Sequence, residues 1–403
     1  MLPPYSPLAR HWLLERDMVF LNHGSFGACP RPILKKQMKY RAAMERQPVR
    51  FMVRELESLV WQAKQALGVF IGAAASDVLL VPNTTYALNI VLHSLTFEPG
   101  DELLTTTHAY GACLHALQRK AQQCGARLVM ADVPFPISDP AEVVEAIRRA
   151  LSPRTRLAVI DHISSPTALV FPIKAIVEVL AKAGVDCFVD GAHAPGHVTL
   201  NVSDIGAAYY AGNAHKWLCT PKGSAFLFVR RDRQHLIRPM VTSHRYDAPT
   251  VSERQWSAAF FWSGTYDYSP WLCIVDALQW LPTLKGTISA LLDHNHKLCL
   301  TAVQCICQQT DRPPSAPASM LGCMAALVLG PAQKPPFSFN YLHPLQNALW
   351  EQYRTEVPVY VWGNPPQLLC RISAYCYNSP EQYEYMAKAL VRLLPHYVGC
   401  RTM

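Results

Sequence analysis

The stretch GNAHKWLCTPKG, residues 212–223, decides how this chain is read. It follows a strand-like run, AAYYA (207–211), and leads through a Pro-Lys-Gly turn into another apolar strand, SAFLFV (224–229). Between a histidine and a tryptophan stands Lys216. The ordinary reading of a lysine is a solvated loop residue, because lysine is rarely buried without a partner or a task. The other reading is an amine that forms a Schiff base. That needs a desolvated site, a second charged group and a place for a cofactor.

The chain has 403 residues, 50% of them hydrophobic and 16% charged, which is ample material for a sizeable core. Lys plus Arg is 37 and Asp plus Glu is 29, a net charge of +8. The excess is scattered, without a basic run or a basic-aromatic patch, so no nucleic-acid partner is expected. A mild positive field suits small anions such as phosphates and carboxylates. The thirteen cysteines are odd in number and irregular in spacing, and no CxxC occurs. They read as mostly buried free thiols in a reducing compartment, and no metal site is expected. The N-terminus lacks a basic segment followed by an apolar one, and the longest apolar run, MLGCMAALVLG (320–330), is too short to span a bilayer. The expectation is a cytoplasmic protein with no membrane partner.

From about residue 75 to 230 short apolar runs alternate with helix-length segments. DVLLVP, ELLTTT, ARLVMADV, TRLAVID, VDCFVD and SAFLFV are separated by stretches such as YALNIVLHSL, AEVVEAIRRAL and IKAIVEVLAKAG. This alternation predicts an α/β fold whose mostly parallel sheet is covered on both faces, with ligands at the carboxyl ends of its strands. Beyond 285 the pattern changes to a smaller α+β unit. The division expected is a non-periodic N-terminal segment, 1–32, packing near the active site, a large domain, 33–285, and a small C-terminal domain, 286–403.

Several strand ends carry chemistry. VDCFVDGAHAPG (185–196) puts Asp190 at the end of an apolar strand. There it is either a capping aspartate or a carboxylate that holds a proton on a heterocyclic nitrogen. His193 is either a satisfied core histidine or a donor to a ring oxygen. VPNTTYALNIVLHSL (81–95) starts a helix with Asn83, Thr84 and Thr85, which are capping types and also an anion site. Asn213 and His215 could close the same phosphate. TTTHAYGAC (105–113) offers Tyr110 or His108 as a flat side chain against an aromatic ring.

DGAHAPG followed by NAHKWLCTPKG resembles the pyridoxal-phosphate enzymes of the class V aminotransferase and cysteine desulfurase superfamily, fold type I. FLNHGSFGACPRP (20–32), SSPTALVFPI (164–173) and LLCRISAYCYN (368–378) resemble its isopenicillin N epimerase-like branch. The resemblance runs from about residue 18 to 390. It implies a seven-stranded, mostly parallel sheet plus a smaller C-terminal domain, with pyridoxal 5'-phosphate (PLP) as cofactor. Lys216 is then the Schiff-base lysine. Asp190 pairs with the ring nitrogen, His193 sits near the ring's 3-oxygen, and Tyr110, or else His108, stacks on the ring. Thr84, Thr85, Asn213 and His215 surround the phosphate. Thr265, in WSGTYD, reaches a phosphate of the neighbouring subunit, which implies a homodimer with shared active sites. Arg371 clamps the carboxylate of a small amino-acid substrate, a bidentate task suited to guanidinium. Asn22, His23 and Ser165 approach that substrate.

The chain departs from the desulfurase pattern. No cysteine lies between residues 345 and 369, and Ser165 stands where desulfurases carry asparagine. Persulfide-forming desulfuration is therefore disfavoured. The expected chemistry starts with removal of the Cα proton by Lys216 and continues as epimerisation or C–S β-elimination, with transamination behind them. A scaffold protein without chemistry is also set behind, since Lys216, Asp190 and Arg371 are all present.

Overall fold

Side-chain alternation along the strands divides this protein's interior into two main cores. The computed structural model describes residues 2–244, 246, 256–333 and 342–398. Its strands are β1 (Val19–Phe20), β2 (Val78–Val81), β3 (Glu102–Thr106), β4 (Arg127–Ala131), β5 (Thr155–Asp161) and β6 (Asp186–Asp190). They continue as β7 (Tyr209–Asn213), β8 (Ala225–Val229), β9 (Met324–Pro331), β10 (Thr355–Glu356), β11 (Val359–Trp362) and β12 (Gln367–Ser373). The main sheet has seven strands in the order β2-β8-β7-β6-β5-β3-β4, and only β8 runs against the rest.

Ala158 and Ile160 of β5, Val189 of β6 and Tyr210 of β7 enter one core, together with Ile176 and Leu180 of the helix Ile173–Lys182. Leu157 and Val159 of β5, Phe188 of β6 and Tyr209 and Ala211 of β7 enter the other. That second core is closed by the helices Thr84–Ser94 and Gly111–Cys124. The period of two sends neighbours to opposite faces, so strands buried on both sides must be continuously apolar. The same parity fixes the strand ends. Asp161, Asp190 and Asn213 share the parity of the second core and project beneath those two helices.

The C-terminal part adds an antiparallel sheet, β11-β12-β9, packed with the helices Ile288–Thr310 and Pro380–Tyr397. Its strand β9 is the apolar run that the sequence offered only as too short for a membrane span. Among the described residues no helix is long and apolar enough to cross a membrane, and no group of three or more His, Cys, Asp or Glu could hold a metal. The N-terminal segment is ordered by long-range contacts, not by periodicity. β1 pairs in parallel with β10 (Val19↔Thr355, Phe20↔Glu356), and Ser373 donates its N–H to the Leu21 carbonyl at 2.8 Å. Gly27 has φ +68, and a Cβ there would run into the backbone oxygens of His215 and Lys216. Only glycine lets this segment lie against the lysine loop.

Candidate active site

The loop after β7 is tied down tightly. Ala214 and His215 donate their N–H groups to Ser224 O at 3.0 and 3.1 Å, and Cys219 donates to Lys216 O at 3.2 Å. Lys216 therefore projects from a fixed backbone into a cavity of about 420 Å³. Burial, followed by the Arg371 guanidinium, pushes its amine down from the ordinary 10.5 to about 8. Its Nζ lies 3.3 Å from His193 Nε2. The Trp217 indole N–H, which can only donate, points at His193 Nδ1 from 3.5 Å. That leaves the proton of a neutral His193 on Nε2, facing the lysine nitrogen. Burial and the neighbouring Lys216 hold His193 well below its usual pKa, so it stays neutral.

The cavity's carboxylate end is set by register. Asp190 Oδ1 accepts the Ala192 N–H at 2.9 Å, and Oδ2 accepts the Cys113 thiol at 3.0 Å. Beside it stands Asp161, its in-register partner on β5, which also lines the cavity. The sequence reading did not single out Asp161, although TRLAVID ends a strand in aspartate just as VDCFVD does. Register across strands is what brings the two together.

At the opposite end the helix Thr84–Ser94 opens toward the cavity. Asn83 caps it by accepting the Tyr86 N–H at 2.8 Å. Thr84 directs both its N–H and its hydroxyl at Asn213 Oδ1, each at 3.0 Å, which leaves Thr85 and the Asn213 amide as cavity-lining donors. His215 donates from Nδ1 to Ser224 O at 2.8 Å and presents its other ring edge to the same space. Burial lowers its pKa to about 4.

Arg371, on β12, donates from Nη1 to Ser165 O at 2.6 Å and to Ser165 Oγ at 3.1 Å, and from Nη2 to Ser25 Oγ at 2.9 Å. Ser25 donates in turn to Asn22 Oδ1 at 2.5 Å, and Asn22 Nδ2 donates to Glu356 Oε1 at 2.9 Å. A chain of bonds thus runs from β10 to the guanidinium, whose Nε is buried without a partner among the described residues.

Three expectations are corrected. His108 does not line the cavity: its Nδ1 bonds Thr167 Oγ1 at 2.6 Å and its Nε2 the Val133 carbonyl at 3.0 Å, and the ring is entirely buried. Tyr110, in contrast, lines the cavity. His23 does not line the cavity: Nδ1 bonds Tyr377 OH at 2.9 Å, Nε2 bonds Lys216 O at 3.1 Å, and the ring stacks on Tyr375. It buttresses the lysine loop from behind. The Asn22 amide is spent on Ser25 and Glu356, and it is Ser25, missed in the sequence, that lines the cavity. Thr265 is not among the residues lining the cavity of its own chain.

The residues present fit PLP. One cavity holds an amine near neutrality, a carboxylate fixed by two donors, and a helix N-terminus flanked by hydroxyl, amide and imidazole groups for a phosphate. Comparisons agree. Residues 21–312 match the family model of aminotransferase class-V. The chain is 33% identical over 399 residues to isopenicillin N epimerase of Streptomyces clavuligerus, covering 94% of this chain and 95% of that one. It is 29% identical to a probable chloroplastic L-cysteine desulfhydrase of Arabidopsis thaliana, over 96% and 86% of the two chains. Among solved structures, a C-DES mutant with glycine covalently linked to its PLP cofactor superposes with TM-score 0.77 at 19% identity, covering 96% of this chain and 99% of that one.

Proposed function

Because the chain belongs to the aminotransferase class-V family, we propose that it breaks the Cβ–S bond of a cysteine-derived amino acid. Epimerisation at Cα is the second reading. The protein is a PLP-dependent enzyme of fold type I. When bound, PLP supplies an electron sink for the charge left at Cα once its proton is removed.

The observation that carries the proposal is the Lys216 amine, its pKa lowered to about 8 inside the cavity with His193 at 3.3 Å, and up to loss of the Cα proton it serves both readings. A neutral amine can take the Cα proton, and the resulting ammonium can hand it to the departing sulfur. Asp190 keeps a proton on the ring nitrogen. Arg371, oriented by Ser165 and Ser25, binds the substrate carboxylate. Amino acid plus water gives thiol, pyruvate and ammonia: the Cα–H and Cβ–S bonds break in the elimination, water then hydrolyses the Cα–N bond, and no oxidant is consumed. With His108 withdrawn, this route needs no second base.

Tyr110 favours the second reading. It lines the cavity, and burial raises its pKa, so the phenol keeps a proton that it could return to Cα. Desulfuration through a persulfide lacks its nucleophile, since no cysteine lines the cavity among the described residues. A homodimer sharing its sites through Thr265 is part of the same proposal. So is a cytoplasmic location, which suits the free thiols.

The test is incubation of the PLP-loaded protein with L-cysteine, cysteine S-conjugates and their sulfoxides. Pyruvate, ammonia and a released thiol are expected. Solvent deuterium entering Cα with loss of optical purity and no pyruvate would mean an epimerase. Accumulating pyridoxamine phosphate would overturn both readings in favour of transamination.

A further inference from the structure

β5 and β6 end level, with Ile160 opposite Val189 and Asp161 opposite Asp190. Both aspartates take the parity of the second core, so their side chains leave the sheet on one face and line one cavity. Their surroundings differ. Asp190 receives two donors, the Ala192 N–H and the Cys113 thiol. Asp161, 4% exposed, receives no hydrogen bond from another residue's side chain among the described residues. The neighbouring titratable groups look elsewhere: His162, the residue that follows β5, shares Nδ1 with the Tyr210 hydroxyl of β7 at 2.7 Å, and Lys216 faces His193. Two adjacent carboxyls in a desolvated site do not readily both ionise, and the Asp161 carboxyl is bonded by its own backbone N–H alone among the described residues. Burial, and then the Asp190 charge, raise the Asp161 pKa well above the carboxylate range.

We propose that Asp161 is a cofactor-contacting residue that works as a neutral carboxylic acid, donating its O–H into the cavity beside the ring nitrogen held by Asp190. The pair then presents one negative charge to one ring cation instead of two. A neutral Asp161 presents an O–H donor to the cavity, and that donor would be lost if it ionised. A protonated carboxyl is a strong donor in a low-dielectric pocket because no water competes for it.

The inference rests on PLP occupying this cavity, and the experiment separates the two. PLP is titrated into cofactor-free protein and its dissociation constant is read from quenching of tryptophan fluorescence. Failure of the unmodified chain to bind PLP would sink the cofactor reading itself. If it binds, Asp161→Asn, which keeps a neutral donor, should bind within about twofold of it, whereas Asp161→Ala should bind about tenfold more weakly. Unchanged affinity in Asp161→Ala would overturn the contact. Equal losses in both variants would show that an ionised carboxylate is what matters, and overturn the neutral acid. If Asp161→Ala fails to fold, as judged by the melt of the cofactor-free protein, calorimetry carries the test. Loading is followed in two buffers of different ionisation heat. The number of protons exchanged should be the same for the unmodified chain and Asp161→Asn. A difference approaching one proton would mean that Asp161 ionises on binding, and would end the proposal.

Discussion

An amine that must attack a carbonyl works only in its neutral form, and the fold prepares Lys216 for this by burying it beside Arg371. Both effects disfavour the charged form and lower its pKa to about 8. The sign follows: neutral amine accumulates as pH rises through 8, two units or so below an ordinary lysine. The rate at which PLP loads into the cofactor-free protein should therefore rise with pH and level off above about 8, as read by stopped-flow absorbance. A rate still climbing at pH 10 would show a solvated lysine. Lys216→Ala should lose both the visible cofactor band and turnover. Lys222, whose Nζ is bonded to Gly27 O at 3.1 Å and which does not line the cavity, should not replace it. Asp190→Asn keeps the shape but not the charge, so Cα proton exchange in deuterated water should slow on the order of 10² to 10⁴-fold while PLP still binds. Near-normal exchange would return Asp190 to a helix-capping role. These residues were legible because each ends a strand or follows one within a recognisable motif. His23 and His108 were misjudged because a sequence does not show which way an imidazole turns. In both, a nearby hydroxyl and a backbone carbonyl satisfy the two ring nitrogens away from the cavity.

At the scale of elements, the parallel pair β1·β10 is only two residues long, yet it sets the bonds that orient Arg371. It aligns Phe20 with Glu356, and the chain Glu356–Asn22–Ser25–Arg371 follows from that register. A hydrogen bond to a charged group contributes roughly 1.5–3 kcal/mol. Ser25→Ala should thus raise KM for the amino-acid substrate about tenfold or more with a smaller change in kcat, and Ser25→Thr should restore much of it. An equal fall in kcat and kcat/KM would instead place Ser25 at the reacting atoms. Nothing in residues 1–32 announces this pairing, because two-residue strands carry no periodicity to read. Strands such as β2, β5 and β8 of the main sheet were legible for the opposite reason: burial on both faces makes them largely continuous apolar runs. β9 is as apolar, but no alternation of strand and helix frames it.

At the scale of the whole molecule, the cavity opens between the strand ends of the large sheet and the N-terminal segment, and Arg371 of the small sheet stands behind its wall, bonded to the lining residues Ser165 and Ser25. Thr265 lies outside that cavity, so a phosphate contact from it has to come from a second copy. Mixing Thr265→Ala protein with Lys216→Ala protein should then regain activity if subunits exchange, and sedimentation should show a dimer. A monomer, or no regain after exchange, would withdraw the shared site. The sequence by itself determined the class of fold, and it brought forward the lysine, the strand-end aspartate and the helix start that the structure gathers at one cavity, with the arginine beside them. All but the arginine are carried by local pattern, since side-chain period and neighbouring glycines or prolines reflect the backbone a few residues away; the arginine came only from the family resemblance. Only the tertiary structure decided that Asp161 stands level with Asp190, that Ser25 and not His23 meets the site, and that His108 faces inward. Those facts depend on register and approach between segments far apart in the chain, where a shift of one residue turns a side chain to the other face.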